Sequence, residues 1–362
     1  MTQLTSPREP HRASERRPRR HAPAGAASLA ALALIACTSC SSSSPHRAAA
    51  ASVATTPTQA PSPSPTVLPA GVLRSFALDL GAAPAGIGAG FGSIWVTGHR
   101  VSYLYRINPK TNKIVASISA DNCCAPPFAA AGYVWDGNQL IDPRTNRIAR
   151  TVPDGWLFAV VNGMPWALTA TGIAGYDPQT LKETRRFTVH ANVAKVSQPD
   201  IAATYGDGFF WVIQYGEDAG YGGAVAKVDP ATGRTLHLYR TADVGDQPDI
   251  EFAANAVWLH GDGNNLLVKL DARTGVVRNY RLPSFQPLTA LYPQTIAVGA
   301  GSLWIRVNSS KVVQIQPKTG KVVASYPADP DGNGGLPYVA FGSLWISNFD
   351  TDTVWRDRIT SS

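Results

Sequence analysis

One phrase recurs seven times between residues 92 and 346, and nothing else in the chain restricts its fold so sharply. Small residues, usually with Gly, lead into a short apolar run that carries Trp. The copies are Gly92-Ser93-Ile94-Trp95-Val96, Gly132-Tyr133-Val134-Trp135, Gly163-Met164-Pro165-Trp166-Ala167, Gly208-Phe209-Phe210-Trp211-Val212, Asn255-Ala256-Val257-Trp258-Leu259, Gly301-Ser302-Leu303-Trp304-Ile305 and Gly342-Ser343-Leu344-Trp345-Ile346. Their tryptophans lie 40, 31, 45, 47, 46 and 41 residues apart. A fixed period of this length is the mark of a repeat architecture, in which no unit buries its apolar face alone.

A second phrase follows the first six copies: Asn108-Pro109-Lys110-Thr111-Asn112, Asp142-Pro143-Arg144-Thr145-Asn146, Asp177-Pro178-Gln179-Thr180, Asp229-Pro230-Ala231-Thr232-Gly233, Asp271-Ala272-Arg273-Thr274-Gly275 and Gln316-Pro317-Lys318-Thr319-Gly320. This is turn chemistry. Pro presets φ, Asp and Thr bond nearby backbone, and Gly or Asn accepts a positive φ. Alternating runs flank each turn, so each unit reads as four short antiparallel strands. The fold class expected is therefore all-β, a seven-bladed β-propeller of four-stranded antiparallel blades. The last unit stops after its third strand, and strand 72–79 is expected to supply the fourth, closing the ring and removing both free edges. A six- or eight-bladed ring is the alternative, because the 135–166 unit is short.

These Gly-x-x-Trp phrases and Asp-Pro-x-Thr-Gly/Asn turns, spread over nearly all of 71–362, resemble the YVTN-type β-propeller family of exported bacterial proteins. Virginiamycin B lyase and the quinoprotein propellers are similar in strand logic, more loosely. The shared motifs are structural, so the resemblance implies the fold and leaves the function open between a binding scaffold and an enzyme, a lyase or quinone-type oxidoreductase.

Charge adds an address. Six Arg against Glu9 and Glu15 give residues 1–36 a net +4 of the chain's +7. With Arg47 set aside, the folded part is left near neutral, which argues against a nucleic-acid surface. Arg16-Arg17-Pro18-Arg19-Arg20 precedes a short Ala/Leu-rich run ending at Ala36, too short to span a bilayer and suited to an export signal over 1–36. Leu34-Ile35-Ala36-Cys37 resembles the bacterial lipobox, which implies that Cys37 becomes the lipidated first residue. Ordinary cleavage nearby is the alternative, and Cys40 is a poorer acceptor. The paired arginines leave the general and twin-arginine routes both open. Residues 37–70 then read as the lipidated Cys and a Ser/Pro/Ala/Thr tether too polar to fold. The expectation is a protein held on the outer, extracytoplasmic face of the cell membrane.

The blade-to-blade junctions of 71–362 are where a site is sought. Gln-Pro-Asp-Ile occurs at 198–201 and again at 247–250, and the ligand-binding candidates at the channel mouth are Gln198, Asp200, Gln247, Asp249, His260, Gln294, Arg306 and Tyr338. Paired carboxylates hold cations or amines or act as acid and base; the competing reading is that they cap their own loops. Cys123-Cys124 are expected to pair in an oxidising compartment, although adjacent Cα atoms about 3.8 Å apart fall below the usual disulfide window. Such a pair would be a loop lock or a ligand platform. The quinoprotein resemblance adds a cofactor contact, but no set of quinone and calcium ligands accompanies it. Asp329-x-Asp331-x-Asn333-Gly334 echoes a calcium loop without the closing Glu, Ala340 standing at that place. No nucleophile elbow, zinc motif or phosphate loop occurs in 71–362. No catalytic residue, metal ligand or cofactor is assigned, and the partner expected at the mouth is a small molecule or a protein.

Overall fold

The computed structural model describes residues 72–77, 81–120, 126–153, 155–169, 172–188, 202–216, 220–244, 248–261, 264–287, 295–332 and 334–359. Twenty-eight strands, numbered in chain order, form seven four-stranded antiparallel sheets. They are β2–β5 (84–119), β6–β9 (128–151), β10–β13 (156–188), β14–β17 (203–240), β18–β21 (249–281), β22–β25 (296–327), and β26–β28 (337–358) with β1 (Val72–Ala77). The first strand of each blade contacts the first strand of the next around a ring, and β2 meets β26. The fold is a seven-bladed β-propeller. The short second unit keeps all four strands by trimming them, down to Phe128–Ala130 in β6.

Each Trp phrase becomes the second strand of its blade, and each Trp points at the next blade. Trp211 packs with Ile250, Val257 and Val268 of the fifth blade, Trp258 with Ile296 and Leu303 of the sixth, and Trp345 with Ile87 and Val96 of the first. Seven apolar clusters result, one at each blade interface. The core is thus a ring of interfaces, as a repeat that cannot fold alone requires. In six blades the indole Nε1 donates to the carbonyl five residues back, as from Trp95 to Gly90 at 3.0 Å, so no buried donor is stranded.

The Asp-Pro turns do more than reverse the chain. In the first, fifth and seventh blades a cation on the third strand lies over its own blade's Trp and reaches the turn of the next blade. Arg106 sits 5.1 Å from the Trp95 ring and donates to Pro143 O and Asn146 Oδ1. Lys269 does the same with Trp258, Pro317 O and Lys318 O. Arg356 of the seventh blade covers Trp345 and donates to Pro109 O and Asn112 Oδ1 of the first. Within β1, Val72 pairs with Asp357 and Ala77 with Thr353, so the expected 72–79 strand is observed over 72–77 as the outer strand of the seventh blade.

Candidate functional site

Four of the eight mouth candidates fall among the described residues: Asp249, His260, Arg306 and Tyr338. Gln198, Asp200, Gln247 and Gln294 lie outside them, as do Cys123, Cys124 and Cys37.

Asp249 opens β18 and is buried. Its Oδ1 accepts the Ile250 N–H and its Oδ2 the Ile296 N–H, both at 2.8 Å. Ile296 opens β22, so this carboxylate ties the inner strands of two blades together. The capping reading describes its bonds. His260 is the Cα partner of Asp249 across the pair, but the two side chains bond elsewhere. His260 Nδ1 lies 3.0 Å from Leu266 O. A carbonyl only accepts, so Nδ1 carries the proton. Burial drives the imidazole down to about 4 against the opposing Leu266 bond, and the ring meets Phe285 edge-on. It is a neutral core histidine at physiological pH.

Arg306 is also buried, and its five N–H groups are all engaged. Nε donates to Asn308 O, Nη1 to Gly334 O and Ser347 O, and Nη2 to Ser309 O, Gly332 O and, at 3.5 Å, Asp329 O. The Asp-rich loop at 329–334 therefore turns three carbonyls toward a guanidinium. Its Asp329 carboxylate accepts from Asp331 N and Thr351 Oγ1. The calcium-like sequence is organised around a cation supplied by the chain itself.

Tyr338 packs partly buried in the cluster between the seventh and first blades. Burial raises its phenol against the opposing bond to the Ala89 backbone, and the charge of Glu251 adds to the rise. Glu251 was not among the sequence candidates. It lies on β18, two residues after Asp249, while Ile250 and Phe252 turn to the core shared with the fourth blade. Burial, then the Asp249 charge, pushes its carboxyl up to about 8. Asp249 has two N–H groups aimed at it, so of the pair Asp249 carries the charge and Glu251 the proton.

The Trp register locates this residue. Opposite the seven phrase tryptophans on the inner strands stand Gly88, Phe128, Ala159, Thr204, Glu251, Ala297 and Tyr338. They are one layer of inner-strand positions on the Trp-bearing face of each blade, and Phe128, Ala159, Ala297 and Tyr338 pack into the clusters of the tryptophans they face. Three positions are Gly or Ala, and the other four bring an aromatic ring, a hydroxyl, a carboxyl and a phenol. Reading the residue paired with each Trp would have found Glu251; reading the Gln-Pro-Asp repeats did not. Among the described residues no group of three or more His, Cys, Asp or Glu is arranged to hold a metal ion.

No family model matches the chain, and no curated protein does. Solved structures do. A catalytically inactive histidine-to-alanine variant of virginiamycin B lyase from Staphylococcus aureus, with quinupristin, is similar over 79% of this chain and 99% of that one, at 15% identity and a TM-score of 0.58. Hydrazine synthase from Kuenenia stuttgartiensis is similar over 79% and 98%, at 12% identity and 0.59. At such identities the likeness is one of fold: this chain shares the propeller of both.

Proposed function

We propose that the chain is an exported, YVTN-like propeller, acylated on Cys37 and tethered by residues 37–70 to the outer face of the cell membrane, where it binds a small molecule or a protein partner at its central channel. The Trp-paired layer carries this reading. Its polar members, Thr204 and Glu251, bring a hydroxyl and a carboxyl to the inner strands of two adjacent blades, while the Phe128 and Tyr338 rings pack against inter-blade clusters and the Tyr338 phenol bonds the Ala89 backbone. The ionisable candidates around it are spent on backbone: Asp249 on two inner strands, His260 on Leu266 O, Arg306 on a loop. Such an arrangement suits preorganised binding better than proton transfer. The leader and lipobox support the address.

The experiment has two arms. Full-length protein expressed in a bacterium is labelled with radioactive palmitate. Label on the parent, lost in Cys37→Ser, supports the anchor, and an unlabelled mature chain starting downstream of Cys37 overturns it. The purified protein is then incubated with quinupristin and followed by mass spectrometry. Unchanged quinupristin fits the scaffold; its turnover would favour the second reading, a propeller lyase, which the lyase-like fold motivates.

A further inference from the structure

Every hairpin between the first and second strands of a blade is a two-residue turn with positive φ at both places, the geometry that matches strand twist. At the first of these places five blades use Ala131, Asn162, Asp207, Ala254 and Ala300. The first and seventh use Phe91, at φ 49°, and Phe341, at φ 51°. A bulky side chain in the left-handed region is strained. Burial does not compensate, since Phe91 is 44% and Phe341 46% exposed. The two blades are neighbours, sharing the cluster of Ile87 and Trp345, so the two rings stand on one rim of adjacent blades.

Two further features meet there. The third-to-fourth-strand turns lie on the same rim, with exposed Lys110 and Lys113 in the first blade, Lys318 and Lys321 in the sixth, and Arg358 ending β28. The seventh blade has no such turn: its fourth strand is β1, which enters on this rim at Val72, opposite Asp357. The missing turn leaves a groove of about 760 Å³ lined by Val323, Phe341 and Ile359 together with Ser302, Gln314 and Gln316, with Val323 53% exposed. Across it the sixth blade carries Gln314 where its neighbours carry Arg or Lys, and Gln314 bonds Ser302 of its own blade.

Uncovered aromatic tips, a partly apolar groove and a fringe of cations together match an anionic lipid surface, whose phosphates meet Lys and Arg while apolar rings such as Phe enter the headgroup/acyl boundary. We propose that this rim docks on anionic phospholipid, Phe91 and Phe341 entering the headgroup layer and the lysines and Arg358 meeting lipid phosphates. The opposite mouth, where Asp249 lies, then faces away from the membrane. That orientation rests on the tether reading, because β1 begins at Val72 on the docked rim; the docking itself does not.

The test is vesicle co-sedimentation of the full chain carrying Cys37→Ser and Cys40→Ser, so that no acyl chain contributes. Phosphatidylglycerol/phosphatidylcholine vesicles are compared with phosphatidylcholine alone. Phe91→Asp with Phe341→Asp is the informative variant, since Asp207 already occupies the equivalent place. Parent and variant share residues 1–71, so their difference reads the rim alone. The expected result is at least a tenfold loss of binding to the anionic vesicles, with Lys110→Glu and Lys113→Glu lowering it again and high salt weakening the parent. Equal binding by parent and variant overturns the proposal. So does rim-dependent capture of an envelope protein without vesicle binding, which would assign the face to a protein partner. Palmitate labelling judges the anchor separately: an unlabelled chain whose rim still binds vesicles keeps this proposal and removes that one.

Discussion

Glu251 and Asp249 share one face of one strand, and their protons set the pH response of the fold. A carboxyl raised to about 8 from 4.5 holds a proton in the folded chain that the unfolded chain has released, so its contribution to stability falls as pH rises through that window. Asp249 and Asp357, both raised to about 6, act in the same direction but are exhausted there. His260, lowered from 6.5 to about 4, acts oppositely and adds stability between those values. Above pH 6.5 Glu251 is the group still titrating in this set. Melting temperature should decline from pH 6.5 to 8.5 in the parent and stay flat in Glu251→Gln, as thermal melts in matched buffers would read. Arg306→Ala should cost about 3 kcal/mol in urea unfolding, because it strands buried carbonyls of the 329–335 loop. Conversion to Lys should recover only part, one ammonium having too few donors. Neither role was legible in the sequence. Glu251 sits in an ordinary strand pattern, Asp-Ile-Glu-Phe, and acquires meaning only from the Trp that faces it. The cation of the 329–334 loop comes from Arg306, more than twenty residues upstream, so the loop alone looked like a metal site.

A blade is joined to the next by three repeated contacts, and only one of them announces itself. The Trp phrase and the Asp-Pro turn each have local causes, burial and turn geometry, so their period was readable and the blade count followed. The latch between them is relational: a cation over one blade's Trp reaching the next blade's turn. It becomes visible only when Trp95↔Arg106, Trp258↔Lys269 and Trp345↔Arg356 are seen as register pairs. The third contact is a glycine under a ring. A Cβ on Gly320, at φ +70°, would lie 2.3 Å from the Tyr280 ring of the preceding blade, and Gly275 stands likewise under Tyr239. Gly320→Ala should therefore lose about 2–3 kcal/mol, part backbone strain and part overlap. Trimming Tyr280→Ala removes the overlap but not the strain. The double variant should be less unstable than the sum of the singles by about 1 kcal/mol in a urea double-mutant cycle. Strict additivity would mean that ring and glycine do not share the space the geometry gives them.

At the scale of the whole ring, the seventh blade differs from the rest, because its outer strand comes from the other end of the propeller's sequence. Two side chains hold this blade to the first, Arg356 latched onto Pro109 and Asn112 and the Asp352 carboxylate, which accepts from Gly81 N at 2.9 Å and Ala83 N at 2.7 Å, while the pairing of β1 with β28 within the seventh blade brings the N-terminal side of the propeller's sequence to it. The apolar cluster of Ile87, Trp345 and Val354 adds the same packing that every other interface has. The described members of that cluster lie outside β1, so deleting residues 72–77 should not unfold the protein at 25 °C. It leaves β28 with an unpaired edge, and an exposed edge is both a stability loss and a template for another chain. The deletion should lower stability by about 3 kcal/mol and raise light scattering on warming, with the β-sheet circular dichroism unchanged at 25 °C. Asp352→Ala should cost about 2 kcal/mol from two unsatisfied backbone donors, that of Ala83 buried and that of Gly81 partly so, without the scattering, since no strand edge is opened. Adding a peptide of the Val72–Ala77 sequence to the deletion variant should restore part of the melting temperature and suppress the scattering. A deletion variant as stable and as monodisperse as the parent would mean that the interface core alone holds the ring, with β1 contributing nothing to its closure.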